Sequence, residues 1–250
     1  MNKKRILVVG VILIISIVFI VILSKKSSEQ DLSIDKDKYS QIYLYDLGKS
    51  NIEVIKKNDF VILINTGLEE DRDNLLDYLD QLGIEEIDYL IITNKDDKYV
   101  GNVTYLLEHF KVDYLYLNDY NYKSKYIDDL YVFLEDSYTE DIILTSNENI
   151  KIDNLKIDIY SYMENEFKME DKTLLVNIKD GNNSIYLTSN MSNKRKDEIK
   201  SSTLLVTENK DFLNIKSDYY IYDGIGKVKR DNLLKRNKEI YINKKELIIR

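Results

Sequence analysis

The chain has 250 residues, 44% of them hydrophobic, with no cysteine, no proline, no tryptophan, a single histidine (His109) and a net charge of −8. The absence of cysteine excludes disulfides, thiolate metal sites and a cysteine nucleophile, and one histidine excludes any site that needs two imidazoles. Such a chain is long enough for one substantial core, and its wealth of Asn, Lys, Ile and Tyr reads as the coding bias of an AT-rich bacterial genome.

Residues 6–23 are apolar apart from Gly10 and Ser16, with Lys3, Lys4 and Arg5 before them and Lys25 and Lys26 after. Eighteen residues at helical rise span roughly 27 Å, close to the hydrocarbon thickness of a bilayer. No small-residue cleavage site follows, so residues 1–26 are expected to form an uncleaved transmembrane signal anchor. Three basic residues and the amino terminus on one side outweigh two on the other, which predicts a single-pass protein of the cell membrane with its C-terminal domain extracytoplasmic. Residues 1–26 hold five basic and no acidic side chains, so the remainder carries −13 against −8 for the whole chain. A domain this acidic is repelled by phosphate backbones, which argues against nucleic acid as a partner. The basic runs Lys194-Arg195-Lys196 and residues 227–236 read as solvated helix faces.

Residues 27–40 are polar and aperiodic, a juxtamembrane linker, and the domain is expected over residues 41–250. Three short strands follow, around residues 42–47, 52–55 and 60–64. Leu75, Leu76, Leu79 and Leu82 recur at helical spacing and predict a helix stopped by Gly83. The apolar run 87–93 reads as a strand buried on both faces, and the loop Thr93-Asn94-Lys95-Asp96-Asp97-Lys98-Tyr99-Val100-Gly101 separates it from a helix marked by Val103, Leu106, Leu107 and Phe110. A strand at 112–117 and a helix marked by Ile127, Leu130 and Leu134 complete an α/β layered half. The second half repeats the rhythm more loosely, with strands at 142–144, 150–152, 155–160, 173–179 and 184–188. Asp180-Gly181-Asn182-Asn183 gives the clearest hairpin signal in the chain. A charged helix is expected at 193–200 and strands at 203–206 and 219–222, then a helix around 232–236 and strands at 240–242 and 247–249. Without a Gly/Ser-rich divider the two halves read as one domain.

Four short motifs, in order and spacing, resemble the metallo-β-lactamase fold, and more specifically the extracytoplasmic metallo-β-lactamase-like domain of the bacterial DNA-uptake (competence) channel proteins. They are Tyr45-Asp46-Leu47-Gly48, Ile64-Asn65-Thr66-Gly67, Ile87-Asp88-Tyr89-Leu90-Ile91-Ile92-Thr93 with the loop that follows, and Ile185-Tyr186-Leu187-Thr188-Ser189-Asn190. The resemblance implies an αββα sandwich preceded by one transmembrane helix, with Asp46, Gly48, Asn65, Thr66, Gly67, Thr93 and Gly101 as its framework. It further implies that the family's metal-binding loop histidines fall on Asn94, Asp96 and Tyr99, its loop aspartate on Lys98 and its metal-bridging aspartate on Asn190. Later histidine regions fall near Glu208 and Lys227. Zinc is held by neutral imidazole, thiolate or carboxylate, and Lys95 and Lys98 bring positive charge towards where a dication would sit. A degenerate site without metal, cofactor or catalytic residues is therefore expected.

Other sharp readings are outweighed by plainer ones. Asp96 and Asp97, with Asp46 and Asp223, offer oxygen ligands for calcium or magnesium, but no calcium-loop spacing is present and Asp residues near a helix start serve as caps. His109 sits at a helix end, where the helix dipole favours it. Tyrosines 114, 116, 120, 122, 126, 131 and 138 suggest a binding surface, or strand and helix packing. The sequence thus predicts a membrane-anchored pseudoenzyme that binds a protein or cell-envelope partner. The alternative is a metal-dependent hydrolase or nuclease-like protein using an unconventional carboxylate site.

Overall fold

A computed structural model describes residues 40–118, 122–144, 146–162, 169–222, 240–243 and 246–249. The expected anchor, the linker up to residue 39, Asp223, Lys227 and the helix around 232–236 lie outside the described residues. No helix among the described residues is long and apolar enough to cross a membrane. The described residues all fall within one compact unit.

Three strands open the domain: β1 (Gln41–Asp46), β2 (Asn51–Lys57) and β3 (Phe60–Ile64). Helix α1 (Arg72–Gln81) turns its leucines inward, and Gly83 at φ +62 takes the left-handed conformation that ends it. Strand β4 (Glu86–Ile91) leads through the Thr93–Gly101 loop into the short helix α2 (Asp97–Val100), helix α3 (Val103–His109), strand β5 (Lys111–Asn118), helix α4 (Lys125–Leu134) and strand β6 (Glu140–Leu144). The second half is richer in strands: β7 (Glu148–Ile152), β8 (Leu155–Tyr160), β9 (Leu175–Asp180), β10 (Asn183–Leu187), β11 (Ser202–Thr207) and β12 (Ser217–Tyr222). Strands β13 (Ile240–Asn243) and β14 (Glu246–Ile249) return to the first sheet, where β14 pairs antiparallel with β1 and β13 pairs antiparallel with β14.

The described strands make two mixed sheets, ordered β13-β14-β1-β2-β3-β4-β5-β6 and β12-β11-β10-β9-β8-β7. Strand side chains alternate between faces, and both sheets put their apolar faces together. Ile42, Leu44, Ile55, Ile62 and Ile64 of the first pack with Ile157, Ile159, Val176, Ile178 and Leu187 of the second. The outer face of the first sheet packs against α1, α3 and α4 through Leu63, Leu75, Leu79, Leu106 and Leu130.

Among the described residues, the outer face of the second sheet is covered by two 3-10 turns, Asn193–Glu198 and Lys210–Asn214, where an α-helix was expected at 193–200; Met191 and Phe212 are buried there. The residues at 193–200 lack an apolar stripe at helical spacing, so no α-helix gains from burial there. Arg195, expected to be solvated, is 1% exposed. Its guanidinium donates to Glu198 at 2.7 and 2.8 Å and to the carbonyls of Asp171, Thr173 and Tyr160, so five hydrogen bonds compensate its burial.

Candidate functional site

Framework residues converge where β2, β3, β4 and the ends of β10 and β11 open towards the Thr93–Gly101 loop. Asn65 leaves β3 at φ +63, a left-handed conformation that asparagine tolerates. Its Oδ1 accepts from the amide and the hydroxyl of Thr93 at 3.0 and 2.8 Å. Thr66 takes Tyr99 as partner, its amide and hydroxyl both donating to that carbonyl. Gly67 has φ +72, and the Gly101 amide donates to its carbonyl at 2.9 Å. A Cβ on Gly101 would lie 2.5 Å from the Glu69 nitrogen, so glycine there lets two backbone segments touch. Asp46 accepts from the Gly48 amide at 2.8 Å and so shapes a turn.

The five positions to which the resemblance assigns metal ligands fall into two hydrogen-bonded groups. In the first, Asn94 Nδ2 donates to Thr173 Oγ1 (2.8 Å) and to Asn190 Oδ1 (3.1 Å), and the Thr173 hydroxyl donates to the same Asn190 oxygen (3.0 Å). Asn94 Oδ1 accepts from the Asp96 amide. In the second group, the Lys98 ammonium pairs with Glu208 Oε2 while the Tyr99 hydroxyl donates to Glu208 Oε1 at 2.9 Å. Asp96 caps α2, its Oδ1 accepting from the Lys98 amide. Burial first, and then the Glu208 charge, raise the Tyr99 hydroxyl well above the ordinary tyrosine range, which keeps it a proton donor.

Three contributors were missed from sequence. Thr173 precedes a strand and carries no motif. Ser189 lies in the fourth motif but was assigned no role; it has φ +45, and its hydroxyl lies 2.9 Å from that of Thr93. Glu53 sits in an apolar strand, and its parity with Ile55, opposite that of Ile52 and Val54, was the available signal. It is 7% exposed, and its Oε2 has no hydrogen-bond partner. Burial, reinforced by the Glu208 charge and opposed by a hydrogen bond from Asn65, pushes its carboxyl from an ordinary 4.5 up to about 8.

These residues do not fit the zinc ions associated with the resembled family. Asn94 and Asn190 are spent on each other and Thr173, Lys98 brings a positive charge, and Tyr99 is held protonated. Among the described residues, no group of three or more His, Cys, Asp or Glu side chains could hold a metal ion. Elsewhere, a concavity of about 190 Å³ lies beside α3 and α4, and in its lining Glu69 accepts from Arg72 and from the Tyr126 hydroxyl. His109 ends α3, its ring stacked on Tyr105 at 3.9 Å.

No curated protein matches the chain in sequence. Among solved structures it is similar to MEM-A1, a subclass B3 metallo-beta-lactamase from a soil metagenome library. Identity is 10%, covering 70% of this chain and 81% of that one, at a TM-score of 0.50. It is also similar to the metallo-beta-lactamase fold protein YhfI from Bacillus subtilis (12% identity, 67% and 70% covered, TM-score 0.46). A Cronobacter sakazakii metallo-beta-lactamase is matched at 8% identity, with 60% of this chain and 56% of that one covered, at a TM-score of 0.46. Identities this low speak to the fold alone. Residues 45–177, just over half of the chain, match the model of the metallo-beta-lactamase superfamily, and the chain belongs to that superfamily.

Proposed function

We propose that this superfamily member is a pseudoenzyme: an extracytoplasmic domain, held to the membrane by its N-terminal apolar segment, that works by binding a protein or a cell-envelope component. One observation carries this reading. The side chains at the family's ligand positions are hydrogen-bonded among themselves and to Thr173 and Glu208, which leaves no set of lone pairs to hold a dication. Without a metal the route to a hydroxide nucleophile near neutral pH is lost. The acidic character of the chain beyond residue 26 argues for a protein or envelope partner over nucleic acid.

Elemental analysis of the purified full-length chain tests the reading. Trace metal only is the expected result, and tightly bound zinc, iron or manganese at about one or two ions per chain overturns it. Crosslinking in cells should capture a membrane-associated partner.

A second reading has one observation in its favour. Glu53, a carboxyl lifted to about 8 at the edge of the cleft, has the proton affinity of a general acid or base. A hydrolase of that kind would show ester or phosphodiester turnover that disappears in Glu53→Gln. Turnover unchanged in Glu53→Gln but lost in Asp96→Ala would point instead to a carboxylate metal site.

A further inference from the structure

Lys98 and Glu208 stand 110 positions apart in the chain, yet they meet where the Thr93–Gly101 loop approaches the end of β11, the site we call the cleft. Each side chain is about one-third exposed, at 32% and 28%. Glu208 uses both oxygens, one for the Lys98 ammonium and one for the Tyr99 hydroxyl, and the ammonium also lies 4.9 Å from the Tyr99 ring centroid. Its backbone is fixed too, because the Glu208 amide donates to the Ser189 carbonyl at 3.0 Å. One positive charge thus joins the α2 turn of the first sheet to the end of β11 in the second.

Glu53 is an independent observation at the same place. It reaches this edge from β2, more than nine-tenths buried, with Oε2 unpartnered and with Glu208 close enough to repel its charge. Burial and the Glu208 charge favour the protonated, uncharged form of Glu53, so the negative charge at this edge sits on Glu208, the group that Lys98 meets.

The geometry points to a cation site occupied by the chain itself: the Lys98 ammonium is the resident cation of the cleft, and it holds Glu208, Tyr99 and the end of β11 where a bound cation would hold them. The chemistry matched is a primary ammonium, a single charge with three donors. The Nζ of Lys98 has one carboxylate oxygen and one aromatic face as neighbours, which is how an alkylammonium ion is recognised. The contact between the loop that carries Lys98 and the end of β11 is then a property of the folded chain and calls for no added ion.

Chemical rescue tests this. In the full-length chain in detergent micelles, Lys98→Ala is expected to melt about 2–4 °C below wild type. Added n-propylammonium at about 0.2–0.5 M, the concentration scale on which so weak a single-charge contact fills, should recover a measurable part of that loss. The same salt should leave wild type unmoved. It should also leave Lys98→Met unmoved, where a methionine side chain fills the space, and Lys98→Ala/Glu208→Gln, where the anion is gone. Tetramethylammonium, which has no N–H donor, should not rescue. The inference is overturned if Lys98→Ala melts with wild type, or if propylammonium shifts all variants alike, or if rescue persists in the double variant. A Lys98→Ala protein that does not fold without the amine but folds with it supports the inference, and one that folds in neither condition while Lys98→Met is stable opposes it. Because the readout is melting without any partner, its failure would leave the proposed binding role standing.

Discussion

Arg195 and Lys98 are both cations tied to a glutamate, and they illustrate two different uses of positive charge. Arg195 lies under the outer cover of the second sheet with its side chain fully buried, while Lys98 is a third exposed at the cleft. The guanidinium satisfies three backbone carbonyls and Glu198, so its role is to hold chain segments in register. Lys98 makes one ion pair across the cleft and remains reachable by solvent. The two are also linked. Arg195 grips the backbone of Thr173, and the hydroxyl of Thr173 lies between Asn94 and Asn190 at the cleft.

The largest effect should come from breaking the buried cation. Arg195→Met removes five donated hydrogen bonds and leaves carbonyls and Glu198 uncompensated, for a loss of about 3–5 kcal/mol in urea unfolding. The segment carrying Thr173 should loosen with it, seen as faster amide exchange at Leu174, whose N–H bonds the Thr93 carbonyl at 2.7 Å. A loss confined to the Asn193–Glu198 turn would separate the two regions.

Glu53→Gln is the next largest and acts in the opposite direction. The folded carboxyl titrates at about 8 and the unfolded one near 4.5. Between those values the unfolded chain releases its proton first, so wild-type stability falls as pH rises from about 4.5 to about 8. Glutamine cannot ionise, and the variant should be more stable than wild type by about 4 kcal/mol at pH 8, with the gain vanishing below about pH 4.5. Chemical denaturation at several pH values checks both the sign and the window. A flat difference across that range would mean that Glu53 does not carry the buried proton.

Gly101→Ala tests how the loop that carries Lys98 is seated. A methyl 2.5–2.8 Å from the backbone of Glu69, Gly67 and Leu68 must push rigid chain apart. A cost of about 1–3 kcal/mol follows from such overpacking. Gly83→Ala makes the control: its φ is +62 but nothing lies within 4 Å, so only the conformational cost of about 1 kcal/mol applies.

The first half was legible because its signals are local. Leucines at helical spacing, Gly83 after α1 and the continuous apolar run of β4 each state their own structure, and Asn65 and Gly67 mark a left-handed turn while Gly101 marks a close approach of two backbone segments. The cover of the second sheet was not legible, because a Lys-Arg-Lys run on the page looks equally charged whether water or five protein acceptors surround its middle member. Glu53 was hidden for the same reason. A single acid in a strand is read as an outward residue until the sheet order shows that both faces are covered. The cleft's partners sit too far apart in sequence for spacing to join them: Thr93 with Ser189 across 96 residues, and Asn94 with Thr173 across 79.

The smallest expected effect is the most informative about metal. Asn190→Asp restores the carboxylate of the resembled motif at its own position. In the native cleft Asn190 uses only Oδ1, which accepts from Asn94 Nδ2 and from the Thr173 hydroxyl. An aspartate keeps an acceptor there and turns its second oxygen towards a half-exposed surface, so stability should change by less than about 0.5 kcal/mol. Zinc affinity should not appear, because Asn94 still occupies the adjacent ligand position with an amide and Lys98 still supplies a competing positive charge. Calorimetric titration of the variant with zinc decides the matter. Tight binding would show that the rest of a metal cage survives in the loop and that one carboxylate separates this cleft from a working one. No binding, with unfolding midpoints superimposed on wild type, would show that the cleft is a settled hydrogen-bonded structure in which Asn94, Thr173 and Lys98 together, and not Asn190 alone, exclude the ion.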